Sequence, residues 1–431
     1  MATGDWIALA GFIALFAMIA LRVPIGVAMG LVGVFGFASI RGINPALNLL
    51  ATSPIRVIAD FNLSLVPFFI LMGIFATNSG MSRELFRAGN AWLGSFRGGL
   101  ALSTIAACAG FAAICGSTVA TAATMTKIAL PEMRRFGYRD ETASGVIAAG
   151  GTLGILIPPS VVLVVYGYIT ETDVGKLFIA GILPGILAMA MYMATVLIGH
   201  RKGLPEGRPF SGREAIASLS GIWAVILLFV AIIGAIYSGV ATPTEAAAVG
   251  AFLTMVIGIV RGRLNVRSII DSLTEALRTS VAVYTILIGA VLFGYFLAIT
   301  QSPQKLTAML IGFDLGPYGT LTLILGLFVV AGCILDSMAM IILLVPIVFP
   351  VIVQLGFDPV WFGIIIVMTA ELGLITPPVG INVFVINTIA KDVKLTTIFK
   401  GVVPFIVSDI FRLALLVMFP GIVLLLPMTM N

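Results

Sequence analysis

Apolar runs long enough to cross a hydrocarbon layer about 30 Å thick recur along the chain. Examples are Trp6 to Leu21, Val57 to Thr77, Leu177 to Ile198, Ile216 to Tyr237 and Phe405 to Leu426. Short polar stretches separate them, the longest being His200 to Glu214. Removing the runs leaves no soluble domain, so the pattern predicts an all-α polytopic membrane protein whose spans are the fold itself. The first run has the position and length of a signal peptide. Asp5 stands where a basic region would be, however, and Arg22-Val23-Pro24 leads into further apolar sequence, which argues against cleavage.

The Gly and Pro punctuation repeats. Pro158-Pro159 and Pro377-Pro378 define one offset along the chain. The same offset, without a gap, brings Leu153-Gly154 onto Leu372-Gly373, Gly137 onto Gly356, Pro131 onto Pro350, Ser117-Thr118 onto Asp336-Ser337 and Pro24 onto Pro243. Such agreement predicts a duplication, with one copy over residues 1–210 and a second over 211–431. Charge predicts how the copies are oriented. The loop PEMRRFGYRDE carries Arg134, Arg135 and Arg139, whereas its counterpart PVIVQLGFDPV carries no base. In the next loops the bias reverses: Glu171 and Asp173 outweigh Lys176, while Lys391 and Lys394 outnumber Asp392. Basic loops stay inside, so the two copies have opposite topology, the Pro131 loop is cytoplasmic and the N-terminus lies outside.

Each copy has two interruptions. One is a polar point, Cys115-Gly116-Ser117-Thr118 in the first copy and Leu335-Asp336-Ser337 in the second. From Ser117 to Pro131 there is only about 21 Å of helix, too short for a span, which predicts re-entrant hairpins around 98–131 and 318–350. Gly116-Ser117-Thr118 alone fits a helix-packing contact equally well. Asp336 does not, because an Asp at membrane depth costs about 2.5 kcal/mol or more unless paired or hydrated. The other interruption is Gly154-Ile-Leu-Ile-Pro158-Pro159-Ser160 and its counterpart Gly373-Leu-Ile-Thr376-Pro377-Pro378-Val379-Gly380-Ile-Asn382. The prolines leave the carbonyls of Gly154, Ile155, Gly373 and Leu374 without helical donors. Hydrocarbon forbids such orphans, so broken helices at 143–170 and 360–390 predict a cavity where protein, water or an ion satisfies them.

Composition agrees with this picture and narrows the function. The 431 residues are 60% hydrophobic and only 10% charged, with a mean hydropathy of +1.16, against about 25% charged in soluble domains. No GxxxxGK[ST] occurs, so this chain is no ATP-driven pump in itself. The net charge of +5 gathers in loops, with His200, Arg201, Lys202, Arg208 and Arg213 in one and Arg261, Arg263 and Arg267 in another. That is a topology signal rather than a nucleic-acid surface. Cys108, Cys115 and Cys333 have no metal-ligand spacing, and the 18 Met follow no fixed interval, so both sets serve packing. Thr242-Pro243-Thr244-Glu245 reads as a capping box opening a helix. Glu371 replaces Thr152 of the first copy and sits beside the second break, either on an ion path or in a structural pair. No intramembrane Arg stands out as a clamp for a carboxylate. The only His, His200, is a loop residue, and no HExxH or GxSxG occurs, which counts against an intramembrane enzyme.

Together the GST tip, PEMRRFGY, GGTLGILIPPSVVLVVYGYITETDVGKLFIAGILPG, ILDSMAMIILLVPIVFP and TAELGLITPPVGINVFVI resemble the large membrane subunit of tripartite ATP-independent periplasmic (TRAP) transporters, the DctM-like family. The likeness extends over essentially the whole chain. It implies an inverted-repeat, elevator-type carrier of the bacterial inner membrane, coupled to Na+ as its only cofactor. It also implies import of an organic acid delivered by a periplasmic substrate-binding protein, with a small DctQ-like membrane subunit as partner. That partner is expected to be a separate chain, because no small-subunit region precedes Trp6.

The resemblance places Na+ where hairpin tips meet helix breaks. One set is Gly116, Ser117 and Thr118 with Gly154, Ile155 and Pro158. The other is Asp336 and Ser337 with Gly373, Thr376, Pro377 and Pro378. Cations want oxygen ligands, and half-helix C-termini add negative charge. A substrate carboxylate favours half-helix N-termini, which singles out Ser160 and Asn382, with Thr152 beside the first break. A stand-alone ion-coupled carboxylate carrier with the same repeats is the alternative.

Overall fold

A computed structural model describes residues 3–199 and 204–430, so His200, Arg201 and Lys202 lie outside the described residues. Every regular element among the described residues is helical. The chain runs through α1 (Thr3–Ala20), α2 (Ile25–Arg41), α3 (Ile43–Ile58), α4 (Leu65–Asn78) and α5 (Met81–Leu93). Next come α6 (Gly99–Cys115), α7 (Thr118–Arg135), α8 (Asp140–Thr152), α9 (Val161–Thr170) and α10 (Val174–Gly199). After the loop follow α11 (Gly212–Tyr237), α12 (Pro243–Val260), α13 (Val266–Thr300), α14 (Ser302–Gly312) and α15 (Gly316–Gly332). The last are α16 (Ser337–Gln354), α17 (Pro359–Ile375), α18 (Ile381–Ile389), α19 (Leu395–Met418) and the short α20 (Gly421–Leu424). Among the described residues, seven helical segments are long and apolar enough to cross a membrane.

The element boundaries keep the spacing of the punctuation. Helices α7 and α16 begin at Thr118 and Ser337 and end at Arg135 and Gln354, and both pairs of ends differ by the offset of the two proline pairs. Helices α8 and α17 begin at Asp140 and Pro359, at the same interval. Caps explain why these starts are sharp. Ser117 Oγ accepts from the Ala120 N–H, Asp336 Oδ1 from Ala339 and Asp358 Oδ1 from Trp361, each satisfying an orphan donor of a first turn. The expected capping box of Thr242 and Glu245 is present at the start of α12.

Two apolar runs divide where the pattern looked continuous. Asp60 accepts from the Asn62 N–H and turns the chain through a 3-10 segment, Phe61–Ser64, so the run from Val57 to Thr77 is divided between the end of α3, that segment and α4. The run from Phe405 ends its helix at Met418, because Pro420 cannot continue it. Conversely, α7 passes through Pro131 and α16 through Pro350, each helix having 18 residues. At about 1.5 Å per residue these arms reach roughly 27 Å rather than about 21 Å.

The helices pack as two groups. In one, α2 crosses α13, α4 packs on α12 and α13, and α1, α3 and α11 complete the set. In the other, α8 packs on α7 and α19, α17 on α15 and α19, and α6 on α7 and α8. The halves of the chain interlock here, since α7 touches α18 and α16 touches α9. Helix α5 bridges the groups between α6 and α11. Glycine decides the closest crossings. A Cβ on Gly289 of α13 would collide with the Gly26 carbonyl oxygen of α2. One on Gly401 of α19 would collide with that of Glu141, at the α8 crossing. Lipid supplies no hydrophobic drive between helices, so backbone approach at such small residues does the work of association. Gly401→Ala is therefore expected to lower the thermal stability of the purified protein by about 1–3 kcal/mol, read as a shifted unfolding midpoint. An unchanged midpoint would show that the α8–α19 crossing relaxes freely.

Candidate functional site

The first hairpin tip is pressed against the first helix break. Gly116 takes a left-handed conformation with φ +61°, and a Cβ there would lie 2.6 Å from the Pro159 carbonyl oxygen. A Cβ on Gly154 would lie 2.6 Å from the Ser117 carbonyl oxygen. The break itself is a 3-10 turn at Leu153–Ile155, followed by an extended Ser160 whose Oγ accepts from the Leu163 N–H and starts α9. At the second break α17 ends at Ile375, and α18 starts after Gly380 at φ +60°. Here a Cβ on Gly373 would lie 2.5 Å from the Gly332 carbonyl carbon, at the end of α15. Backbone thus meets backbone at both places, and residues without side chains make that possible.

The two tips share a cavity of about 730 Å³. Cys115, Gly116, Ser117 and Thr118 line it from the first hairpin, Asp336 and Ser337 from the second. Ile155, Val161, Leu374 and Ile381 of the breaks also contribute. The facing wall comes from the other packing group: Gly73, Thr77 and Asn78 of α4, and Glu275, Thr279 and Val283 of α13. The charged side chains of this lining are Asp336 and Glu275, both acidic. The N-termini of α7 and α16 open onto it and present N–H groups with the positive end of a helix dipole. A cavity of about 910 Å³ lies elsewhere on the junction of the two groups, bounded by Asp60, Tyr168, Glu171, Asp173, Leu287 and Pro346. It contains neither tip.

This arrangement places the candidate residues unequally. Gly116, Ser117, Thr118, Ile155, Asp336 and Ser337 line the cavity, and Gly154 touches the tip beside it. Pro158 borders a separate, wholly apolar pocket of about 310 Å³. Gly373, Thr376, Pro377 and Pro378 are not in the lining of the shared cavity, and the Thr376 hydroxyl donates to Leu372 O at 2.6 Å. The three residues picked for a carboxylate also lie away from the lining. Ser160 is spent as a cap, Asn382 Nδ2 donates to Ala148 O at 3.2 Å, and the Thr152 hydroxyl donates to Ala149 O at 2.7 Å. Asn78 ends α4, and Glu275 and Thr279 lie in the polar first half of α13, where a polar side chain by itself gives no sign of a cavity.

The family model for the DctM component of tripartite ATP-independent periplasmic transporters matches residues 12–422. The chain belongs to the DctM family. It is 38% identical to the C4-dicarboxylate TRAP transporter large permease protein DctM of Pseudomonas aeruginosa, over 90% of this chain and 93% of that protein. It is 34% identical to the isethionate TRAP transporter permease protein DctMQ of Oleidesulfovibrio alaskensis, over 92% of this chain and 62% of that protein. Among solved structures, the YdaH transporter of Alcanivorax borkumensis superposes with a TM-score of 0.62 at 15% identity, covering 88% of this chain and 90% of that one, a likeness of fold. This DctM-family chain is accordingly a membrane-embedded permease subunit, and its relatives are not enzymes.

Outside the cavity lining, the permease holds an intramembrane arginine that the sequence reading passed over. Arg412 of α19 is fully buried, and its Nη2 lies 2.8 Å from Glu371 Oε2 and 3.0 Å from Asp409 Oδ1. Glu371 is thus in a structural pair. Tyr192 OH donates to Asp409 Oδ2 at 2.8 Å and lies 3.1 Å from the Thr152 hydroxyl. Asp409 and Arg412 three residues apart, inside an otherwise apolar run, were the available signal. Arg412 points at acids of its own protein, away from the cavity lining. Removing one member of a buried pair strands the others, so Arg412→Ala is expected to cost about 3–5 kcal/mol, read as loss of monodisperse protein in detergent. Retention of wild-type stability would mean water reaches the cluster.

At the end of α7, Arg134 binds Asp140 and Asp392, both at 2.6 Å. Its guanidinium holds the Asp392 carboxyl below the usual carboxylate range. A depressed carboxylate contributes stability that is present above its unfolded pKa of about 3.9 and lost as pH falls through the folded value. Any stability advantage of the wild type over Asp392→Asn is therefore expected at neutral pH and should vanish under acid. Paired unfolding curves across pH check this.

Proposed function

We propose that this permease imports an organic acid across the inner membrane with Na+ as the coupling ion. A periplasmic binding protein feeds it, and a small membrane subunit braces it. One observation carries the reading: the cavity shared by the two tips has carboxylates, Asp336 and Glu275, as its charged groups. An organic anion is repelled from such a lining unless cations enter with it. Hard monovalent cations suit the oxygen-rich junctions of tip and break, with Gly116, Ser117, Thr118, Gly154 and Ile155 at one and Asp336 and Ser337 at the other. The anion then meets the N-termini of α7 and α16 and the hydroxyls of Ser117, Thr118 and Ser337. Ser160, Asn382 and Thr152 act in this scheme by holding the breaks in shape.

The constant spacing of helix starts between the two copies supports an inverted repeat, and the loop charges favour a periplasmic N-terminus. A cavity at each of two places along the junction of the packing groups fits an elevator. Helices α6–α10 and α15–α19 would move as one unit past α1–α4 and α11–α13, exposing the tips to each side in turn. The relatives named for C4-dicarboxylate and isethionate carry different solutes on the same frame. The binding protein is therefore the better place for substrate choice. The part of the DctMQ relative that this chain leaves uncovered is room for a fused small subunit.

Reconstituted uptake tests this directly. Uptake into proteoliposomes holding both membrane subunits should need an inward Na+ gradient and the loaded binding protein outside. Asp336→Asn should weaken the apparent Na+ affinity at least about tenfold, a change worth about 1.4 kcal/mol. Equal uptake on a K+ gradient would remove the sodium assignment. Efficient Na+-driven uptake by this chain alone would favour a stand-alone carrier.

A further inference from the structure

The buried cluster around Arg412 does more than fill space. Thr152, Tyr192, Asp409, Arg412 and Glu371 are each at most 2% exposed. They form a polar chain with successive separations of 3.1, 2.8, 3.0 and 2.8 Å, whose first link becomes a hydrogen bond when the Thr152 hydroxyl turns its one proton from Ala149 O to the Tyr192 oxygen. Its ends are significant. Thr152 stands two residues before Gly154, and Glu371 two residues before Gly373. They therefore occupy the same position of the repeating pattern, one in each copy. Each of those glycines is in backbone contact with a hairpin, Gly154 with Ser117 and Gly373 with Gly332. A shift of either tip or break therefore moves one end of the chain. The middle members come from α10 and α19, which place no residue in the cavity lining.

The pairing is also incomplete. Arg412 Nη2 serves both carboxylates, while Nε and Nη1 of the same guanidinium make no hydrogen bond among the described residues. Glu371 Oε1 is likewise without one, and Asp409 Oδ1 meets Nη2 only as an ion-pair contact at 3.0 Å. Arginine offers a rigid fork of donors, and a carboxylate can take two of them. The cluster thus keeps donors and an acceptor for a second arrangement, in which Nε or Nη1 meets Glu371 Oε1. Coupling between distant sites requires an element with two discrete arrangements that both sites bias.

The geometry points to a positioning device: the chain from Thr152 to Glu371 links the two helix breaks, so that Na+ at one strengthens Na+ binding at the other. This inference rests on the proposed sodium sites. An ion that fixes one break sets the pairing of the chain, and the second break then binds with less left to order. The result is positive cooperativity in Na+, reciprocal between the sites.

Tyr192→Phe tests it, because it removes one hydroxyl and leaves the ring on Phe405 at 5.5 Å and under Arg412 at 5.5 Å. Phe405→Leu is the control, altering that packing without touching the chain. Thr152→Val cuts the chain at its end and keeps the question answerable if one variant fails to fold. Equilibrium binding of Na+ to the complete complex is measured against Na+ concentration for the Hill slope, with reconstituted uptake beside it for the rate. The wild type should show a Hill slope above 1. Tyr192→Phe and Thr152→Val should bring the slope to 1 and raise the half-saturating Na+ about fivefold or more, with Tyr192→Phe retaining its rate at saturating Na+. Phe405→Leu should keep the slope. A wild-type slope of 1, an unchanged slope in Tyr192→Phe, or equal loss of slope in Phe405→Leu would overturn the coupling and leave a packing role. Wild-type uptake indifferent to Na+ would overturn the sodium reading and the coupling together.

Discussion

Backbone N–H and carbonyl groups in hydrocarbon must find partners, and each failure costs several kcal/mol. Breaking two helices inside the fold, at Gly154–Ser160 and Gly373–Gly380, is therefore the demand to which the rest of the permease answers. Ser160 caps the helix that resumes after the first break. Asn382 reaches from just beyond the second break to the α8 backbone at Ala148. Hairpin backbone lies against both breaks, close enough that Gly154 and Gly373 leave no room for a Cβ. Interlocking of the halves, α7 on α18 and α16 on α9, follows from the same need, since each break is covered partly from the other copy.

That architecture concentrates polar chemistry in two layers. The layer facing the cavity is acidic and lined with hydroxyls, and two helix N-termini open onto it. It suits a cation and an anion together better than either alone, which is the electrostatic root of the proposed symport. The other layer is a fully buried ion cluster. Its desolvation cost is offset only while Arg412, Glu371 and Asp409 all remain in place. Expense of that kind, kept at full burial between two helix breaks, is what makes a coupling role worth proposing.

The repeating punctuation was legible in the sequence because Gly and Pro act locally. Pro158-Pro159 and Pro377-Pro378 interrupt helices whatever surrounds them, and Gly116 and Gly380 mark left-handed turns. Hence both ends of α7 and α16, and the starts of α8 and α17, fall at the anticipated interval. The capping box at Thr242 and Glu245 was equally local. Pro131 was misleading because a proline late in a helix, on an exposed face, deprives only one carbonyl, and α7 continues past it. Ser160, Asn382 and Thr152 had the right chemistry beside the right breaks, but packing turned each toward backbone. Arg412 was missed because a charge in an apolar run identifies no partner, and its acids come from its own helix and from α17.

Local rules that need no partner made the membrane class, the spacing of the Gly and Pro punctuation, the four interruptions and several helix caps legible in the sequence. Periodicity, proline geometry and charge bias act within a few residues, so they survive reading in one dimension. Tertiary structure decided which oxygens share a cavity, that its charged lining is acidic, and that a buried chain joins the two breaks. Those outcomes depend on distances between segments far apart in the chain, and close backbone crossings such as Gly145 with Gly401 set them.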